Sequence, residues 1–237
     1  MVMNLENTLP NHIGFVVDGN RRWAREKNLP TRDGHKRGYE VLKEMAYIAR
    51  DRNVKYMSAF IFSTENWSRA KEEVDYLMDL FMWSFSNDMK KLVKDGFKII
   101  FLGRKNGLRA KIRTAMEKTE KESQNNNGPT LALCFNYGGH AEIADAAKEI
   151  AEKVKNGEMN TDEINEENLA NHLYHPELPP IDMLVRSSGE MRLSGFMLWR
   201  ASYSELMWID KKWPDMNETD FDDILAEFAG RSRRFGK

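Results

Sequence analysis

Short apolar runs alternate with longer amphipathic stretches along the whole chain. Residues 13–17, Ile-Gly-Phe-Val-Val, are too few for a helix and suit a buried strand. The run stops at Asp18-Gly19-Asn20, a turn signal, and Arg21 and Arg22 follow at once. Residues 34–52 carry Tyr39, Leu42, Met45, Ala46 and Ala49 at helical spacing. Residues 54–62 read as a second strand, ending in the polar stretch Ser63-Thr64-Glu65-Asn66-Trp67-Ser68-Arg69. The longest amphipathic segment, residues 71–95, presents Val74, Leu77, Met78, Phe81, Met82, Phe85, Met89, Leu92 and Val93 as one stripe. Such a stripe is usually core, and the alternative is one wall of a cavity for an apolar ligand. Further strands are expected at 97–102, 131–135, 181–185 and 205–209, and helices near 108–123, 141–154, 166–174 and 218–229.

This alternation predicts an α/β fold, a central, mainly parallel six-stranded sheet flanked by helices on both faces. Right-handed crossovers bring the polar loops after the first, second and fifth strands to one edge. Open α/β sheets bind ligands at that edge. No repeat or long linker interrupts the pattern, so residues 1–237 read as one domain with an N-terminal arm (1–11) and a basic tail (230–237).

Composition narrows the function classes. Lys and Arg number 36 against 37 Asp and Glu, a net charge of −1, which argues against a general nucleic-acid binder. The single cysteine, Cys134, permits no intrachain disulfide and points to a reducing, cytoplasmic setting. No apolar N-terminal segment suits a signal peptide or membrane span, so a soluble protein is expected.

The converging loops and neighbouring helix starts hold Arg21, Arg22, Arg69, Arg186, Arg192 and His35, with the donors Asn20, Ser63 and Ser194 and the amides of Gly19 and Gly34. Few acids accompany them: Asp18, Glu65 and Glu205. The set suits an anion rich in oxygens, and two such groups better than one, because the guanidinium fork matches phosphate. Asp18 with Glu205 is a candidate pair for one Mg²⁺. Taken singly, His35 is equally a helix cap, and Glu205 equally a structural partner of an arginine. A Gly-rich loop followed by Lys-Ser/Thr, a dinucleotide fingerprint, a His/Cys metal cluster and a serine nucleophile elbow are all missing.

Four segments together resemble the cis-prenyltransferases, bacterial undecaprenyl diphosphate synthases in particular. They are Asp18-Gly19-Asn20-Arg21-Arg22-Trp23-Ala24 with Gly34-His35, the run Phe62 to Arg69, Asn136-Tyr137-Gly138-Gly139, and Arg186 through Phe196 leading to Glu205. The resemblance implies a homodimer with an apolar tunnel that condenses isopentenyl diphosphate onto an allylic diphosphate, usually farnesyl diphosphate. It gives Asp18 and Glu205 to Mg²⁺, with Asp18 assisting departure of the allylic diphosphate. Gly19, Asn20, Arg21, Arg22 and His35 bind that diphosphate. Arg69, Arg186, Arg192 and Ser194 bind the isopentenyl diphosphate, and Thr64, Glu65 and Leu193 are further substrate-binding residues. Ser63 and Asn66 lie where the family places groups implicated in proton removal. An amide is a poor base, so Asn66 reads as an orienter, with released diphosphate taking the proton. Trp23 and Trp67 flank the allylic chain, and Arg234-Phe235-Gly236 matches a motif that reaches the partner's site. The stripe of residues 71–95 gains a use as a tunnel wall.

The departures from the family pattern are Thr31, where arginine is common and Arg32 stands next to it; Met191, for a metal-linked histidine; His140, for an arginine; and Ile61, for a small residue. Ile61 implies a narrower tunnel and a shorter product. The expected function is Mg²⁺-dependent cis-prenyl elongation, with peripheral membrane contact for release of a long product. The alternatives are a medium- or short-chain synthase, a non-catalytic binding subunit of the same fold, and a diphosphate hydrolase.

Overall fold

The computed structural model describes residues 9–231. In chain order the elements are β1 (His12–Val16), α1 (Asn20–Glu26), α2 (Thr31–Asp51), β2 (Tyr56–Ser63), α3 (Lys71–Ser86), α4 (Asp88–Lys94), β3 (Lys98–Leu102), α5 (Ala110–Ser123), β4 (Thr130–Tyr137), α6 (Gly139–Lys155), α7 (Glu166–Ala170), β5 (Met183–Ser187), β6 (Glu205–Ile209) and α8 (Glu218–Gly230). One six-stranded sheet has the order β3-β4-β2-β1-β5-β6, and every neighbouring pair is parallel. The chain passes from β1 to β2 on one side and later crosses to β5 on the other side of β1. A crevice therefore opens beyond the carboxyl ends of β1 and β5, the place such sheets favour for ligands.

β1 is central and buried at every position, as a parallel strand covered on both faces must be. The larger core lies on one face, where Ile13, Phe15, Met57, Leu131 and Val185 meet α2, α3, α5, α8 and the buried Trp213. A smaller core on the other face gathers Leu184, Cys134 and Tyr137 with Phe196 and Met197. Among the described residues no helix is long and apolar enough to cross a membrane.

Three elements differ from the sequence expectation. The turn after β1 continues as the short helix α1, and α2 begins at Thr31, so His35 sits a turn inside that helix. The stripe of residues 71–95 is two helices broken at Asn87. There the Asn87 side-chain amide donates to the Trp83 carbonyl at 2.7 Å, competing with the helical ladder. α7 ends at Ala170 rather than continuing to 174.

At the amino edge of the sheet, His12 joins three segments. Its Nδ1–H donates to the Pro179 carbonyl at 2.8 Å, so its Nε2 accepts from the Ser58 hydroxyl at 2.6 Å. Burial lowers its pKa to about 4, because the imidazolium would be desolvated. The unfolded chain takes this proton near pH 6.5 and the folded chain only near 4. Stability from His12 is therefore complete above pH 6.5 and lost as pH falls towards 4, by about 3 kcal/mol. Urea unfolding of wild type and His12→Asn at about pH 7.5 and about pH 4.5 checks this. The gap between the two proteins should shrink by about 2–3 kcal/mol at the lower pH, and a pH-independent gap would contradict it.

Candidate active site

The turn after β1 is pinned from two sides. The Asp18 N–H donates to Ser187 Oγ at 3.0 Å, and that hydroxyl donates back to the Asp18 carbonyl at 2.9 Å. The same carbonyl accepts the Trp213 N–H at 3.0 Å. Gly19 takes φ +97°, and a Cβ there would stand 2.7 Å from Ser188 Oγ, so both conformation and space require glycine. At Gly34 a Cβ would lie 2.1 Å from the Asn20 carbonyl oxygen, and α1 can pack on α2 only because it is absent.

Asp18 is thus fixed with its carboxylate toward the crevice. Oδ1 accepts the Gly19 N–H at 2.7 Å, Oδ2 accepts Arg186 Nη2–H at 2.9 Å, and Arg22 Nη2 lies 3.4 Å away. Arg186, at the end of β5, is nearly buried and also donates to Ser194 Oγ at 2.7 Å and to the Arg192 carbonyl at 2.5 Å. Its Nε is buried with no partner among the described residues. Glu190 bridges Arg22 (3.0 Å) and Arg192 (2.5 Å), which together hold its carboxyl below the usual range.

A second knot forms around Glu73, in the first turn of α3. Its carboxylate accepts from His35 Nε2–H at 3.1 Å and Arg69 Nη1–H at 3.0 Å, and Arg21 Nε lies 3.8 Å away. Burial lowers the His35 pKa despite Glu73, so His35 stands as a neutral donor near pH 7. Asn66 Oδ1 accepts the Ser63 N–H at 3.1 Å, which leaves its NH₂ as a donor.

Two cavities share this edge. The first, of about 680 Å³, is lined by Asp18, Gly19, Asn20, Arg21, Arg22, Arg25, Thr31, His35, Ile61, Asn66 and Arg69, among others. The second, of about 540 Å³, is lined by Asp18, Ser63, Glu65, Asn66, Arg69, His140, Arg186 and Ser194, among others. Asp18, Asn66 and Arg69 belong to both. From the first cavity an apolar cleft leads inward between α2 and α3, narrowing to about 50 Å³ and then about 10 Å³. The last of these is barely room for a water. Ile61 lines all three spaces. It is the extra residue of a bulge, because Phe60 pairs with Cys134 and Phe62 with Phe135. Bulges beside active sites re-aim side chains in this way.

Several expected site residues lie elsewhere. Glu205 opens β6, opposite Met183, whereas Asp18 lies beyond Val16, whose partner is Arg186. The two acids are therefore on opposite edges of the sheet and cannot hold one ion within a single chain. Glu205 instead accepts from Arg231 Nη1–H at 3.0 Å. A strand's first residue in a parallel sheet always falls on the far edge. Trp23 donates its indole N–H to Asp215 at 2.6 Å, and Trp67 donates its own to Asn136 at 2.7 Å. Neither ring lines the two cavities, and neither do Thr64, Arg192 or Leu193. Arg32 is exposed and faces Asp33, and Arg25 of α1 lines the first cavity instead. Arg234 and the rest of the basic tail lie outside the described residues. Glu73 was not anticipated, although its four-residue spacing from Arg69 was the available signal.

Among the described residues no group of three or more His, Cys, Asp or Glu side chains gathers to hold a metal. Asp18 fits a different kind of site. It is the carboxylate common to both cavities, and Mg²⁺ accepts one carboxylate when phosphate oxygens and waters complete its shell.

Residues 16–236 match the family described as "Putative undecaprenyl diphosphate synthase". The chain is 42% identical to an isoprenyl transferase of Thermotoga maritima, over 96% of this chain and 97% of that one. It is 40% identical to a ditrans,polycis-undecaprenyl-diphosphate synthase, (2E,6E)-farnesyl-diphosphate specific, of Pasteurella multocida, over 97% and 96%. Among solved structures it superposes on lavandulyl diphosphate synthase from Lavandula x intermedia in complex with dimethylallyl diphosphate. That match has a TM-score of 0.94 and 33% identity, covering 97% of this chain and 99% of that one. A probable undecaprenyl diphosphate synthase from Campylobacter jejuni matches with a TM-score of 0.80 and 29% identity, covering 96% and 99%.

Glu73 engages two cations, Arg21 and Arg69, and the neutral His35, groups for which a diphosphate would compete. Glu73→Gln should therefore bind inorganic diphosphate about fivefold more tightly by calorimetry, the release of roughly 1 kcal/mol of competing ion pairing. Unchanged or weaker binding would show that Glu73 orients these cations rather than competing for them.

Proposed function

The chain belongs to the undecaprenyl diphosphate synthase family of prenyltransferases, and on that premise we propose how its sheet edge carries out cis-prenyl elongation. The protein is a prenyl transferase, and its relatives support elongation of a prenyl chain. Its substrates are an allylic diphosphate, farnesyl diphosphate in the first instance, and isopentenyl diphosphate. The observation that carries this reading is the pair of cavities joined through Asp18, Asn66 and Arg69. Two diphosphates can lie side by side there, with reacting carbons brought together across the shared wall.

In this reading the allylic diphosphate occupies the first cavity. Arg21, Arg22, Arg25 and His35 surround it, and the amides at the start of α1 face it. Isopentenyl diphosphate occupies the second, where Arg69, Arg186 and Ser194 grip it. Asp18 holds Mg²⁺, whose contribution when bound is to neutralise charge on the departing diphosphate. Asn66 donates its NH₂ to a substrate oxygen, because its own oxygen is engaged by Ser63. The proton lost from isopentenyl diphosphate then goes to the released diphosphate. Homodimer formation and contact with a lipid surface for product release belong to the same proposal.

A second reading concerns product length, since structural neighbours include both a lavandulyl and a probable undecaprenyl diphosphate synthase. The cleft closes beyond Ile61 against Phe81, Phe85 and Phe135, which supports a medium- or short-chain product.

Incubation with farnesyl diphosphate, labelled isopentenyl diphosphate and Mg²⁺ tests the reaction. A ladder of polyprenyl products should form and fall at least about 100-fold with Asp18→Ala. Absence of incorporation by folded wild-type protein would contradict it and favour a binding subunit. Chromatography of Ile61→Ala products should show longer chains, and an unchanged length would remove Ile61 as the limit.

A further inference from the structure

The segment that contributes Asn66 and Arg69 to both cavities is the single-turn 3-10 helix Thr64–Ser68 with the residue after it. None of the turn's residues is buried. A capping box, in which Asn66 Oδ1 accepts the Ser63 N–H, closes the turn on itself, and the end of β4 ties it to the sheet. Asn136 is 4% exposed and takes φ +52°, a left-handed conformation that asparagine tolerates. It is the second bulge residue of the β2–β4 pair, because Phe62 pairs with Phe135 and Ser63 with Tyr137. The bulge re-aims its side chain out of the ladder. Asn136 Oδ1 accepts the Trp67 indole N–H at 2.7 Å. Its Nδ2 donates to the Arg104 carbonyl at 2.7 Å and the Asn106 carbonyl at 3.1 Å. Every polar atom of this side chain is thereby committed, and none faces either cavity.

We infer that Asn136 is a positioning residue, acting through Trp67 to hold the Thr64–Ser68 turn, and with it Asn66 and Arg69, in register with Asp18. This rests on the proposed roles of Asn66 and Arg69. The indole is the handle of the clamp rather than a wall of the prenyl site, and its edge contact with Phe62 sets the ring at 5.1 Å between centroids. A phenylalanine at 67 keeps that contact and loses only the N–H.

Asn136→Gly removes the side chain while keeping the left-handed backbone free of strain. Asn136→Gly and Trp67→Phe should each lower kcat about tenfold or more and raise KM for isopentenyl diphosphate, which Arg69 grips, with KM for the allylic diphosphate within about threefold of wild type. The double variant should be no slower than the slower single one, since both act through one bond. Backbone hydrogen exchange at 64–69 should quicken about tenfold in Asn136→Gly, with α6 unaffected. Wild-type kcat in Asn136→Gly, losses that multiply, or unaltered exchange at 64–69 would each overturn the inference. If the wild-type protein turned over no prenyl diphosphate, the proposed function would fall while the exchange experiment still tested the clamp.

Discussion

Every strand of the sheet runs in the same direction, so each delivers its following loop to one edge. That constraint makes a site out of segments far apart in sequence. Asp18 arrives from β1, Arg186 and Ser194 from β5, and Asn66 and Arg69 from β2. It also places Glu205, which opens its strand, at the far edge of its own chain, away from Asp18. The central position of β1 places Asp18 at the point where the chain's course across the sheet reverses, and the crevice there becomes two joined cavities.

Electrostatics then decides what those cavities favour. Five arginines and a neutral histidine meet Asp18, Glu73 and Glu190, and each acid is shared among several cations. Such knots keep the guanidinium groups gathered at the crevice, where a bound anion would compete with the acids for them. The apolar requirement is met on a different element. α3 brings Glu73 to the cations at its first turn and Leu77, Phe81 and Phe85 to the cleft further along. One helix therefore borders both the charged rim and the apolar cleft.

The strands were legible because each is a short apolar run closed by polar residues, and the parallel arrangement of β1 to β5 follows from the helices between them, whereas β6 joins β5 in parallel with no helix between. The residues at the edge could be read for the same reason, since a loop after a strand is visible in sequence. The bulges at Ile61 and Asn136 were not, because they leave the apolar pattern intact while changing where side chains point. Glu73 lay hidden in Lys-Glu-Glu at a helix start, where acids are ordinary. Trp23 and Trp67 illustrate the limit of residue type alone: each indole N–H found its acceptor through tertiary contact. The break at Asn87, where φ is −116° and ψ −70°, interrupts an apolar stripe that reads as continuous in sequence.

The central claim is that one sheet edge holds two diphosphates on either side of Asp18, with the carbon chain directed between α2 and α3. A crystal structure with an unreactive thio-analogue of farnesyl diphosphate, isopentenyl diphosphate and Mg²⁺ tests it most directly. The account predicts one diphosphate against Arg21 and His35, the other against Arg69 and Arg186, and the prenyl chain passing Ile61. A diphosphate or prenyl chain bound instead in the apolar groove beside Trp199 and Tyr203, at the other end of the sheet, would contradict it.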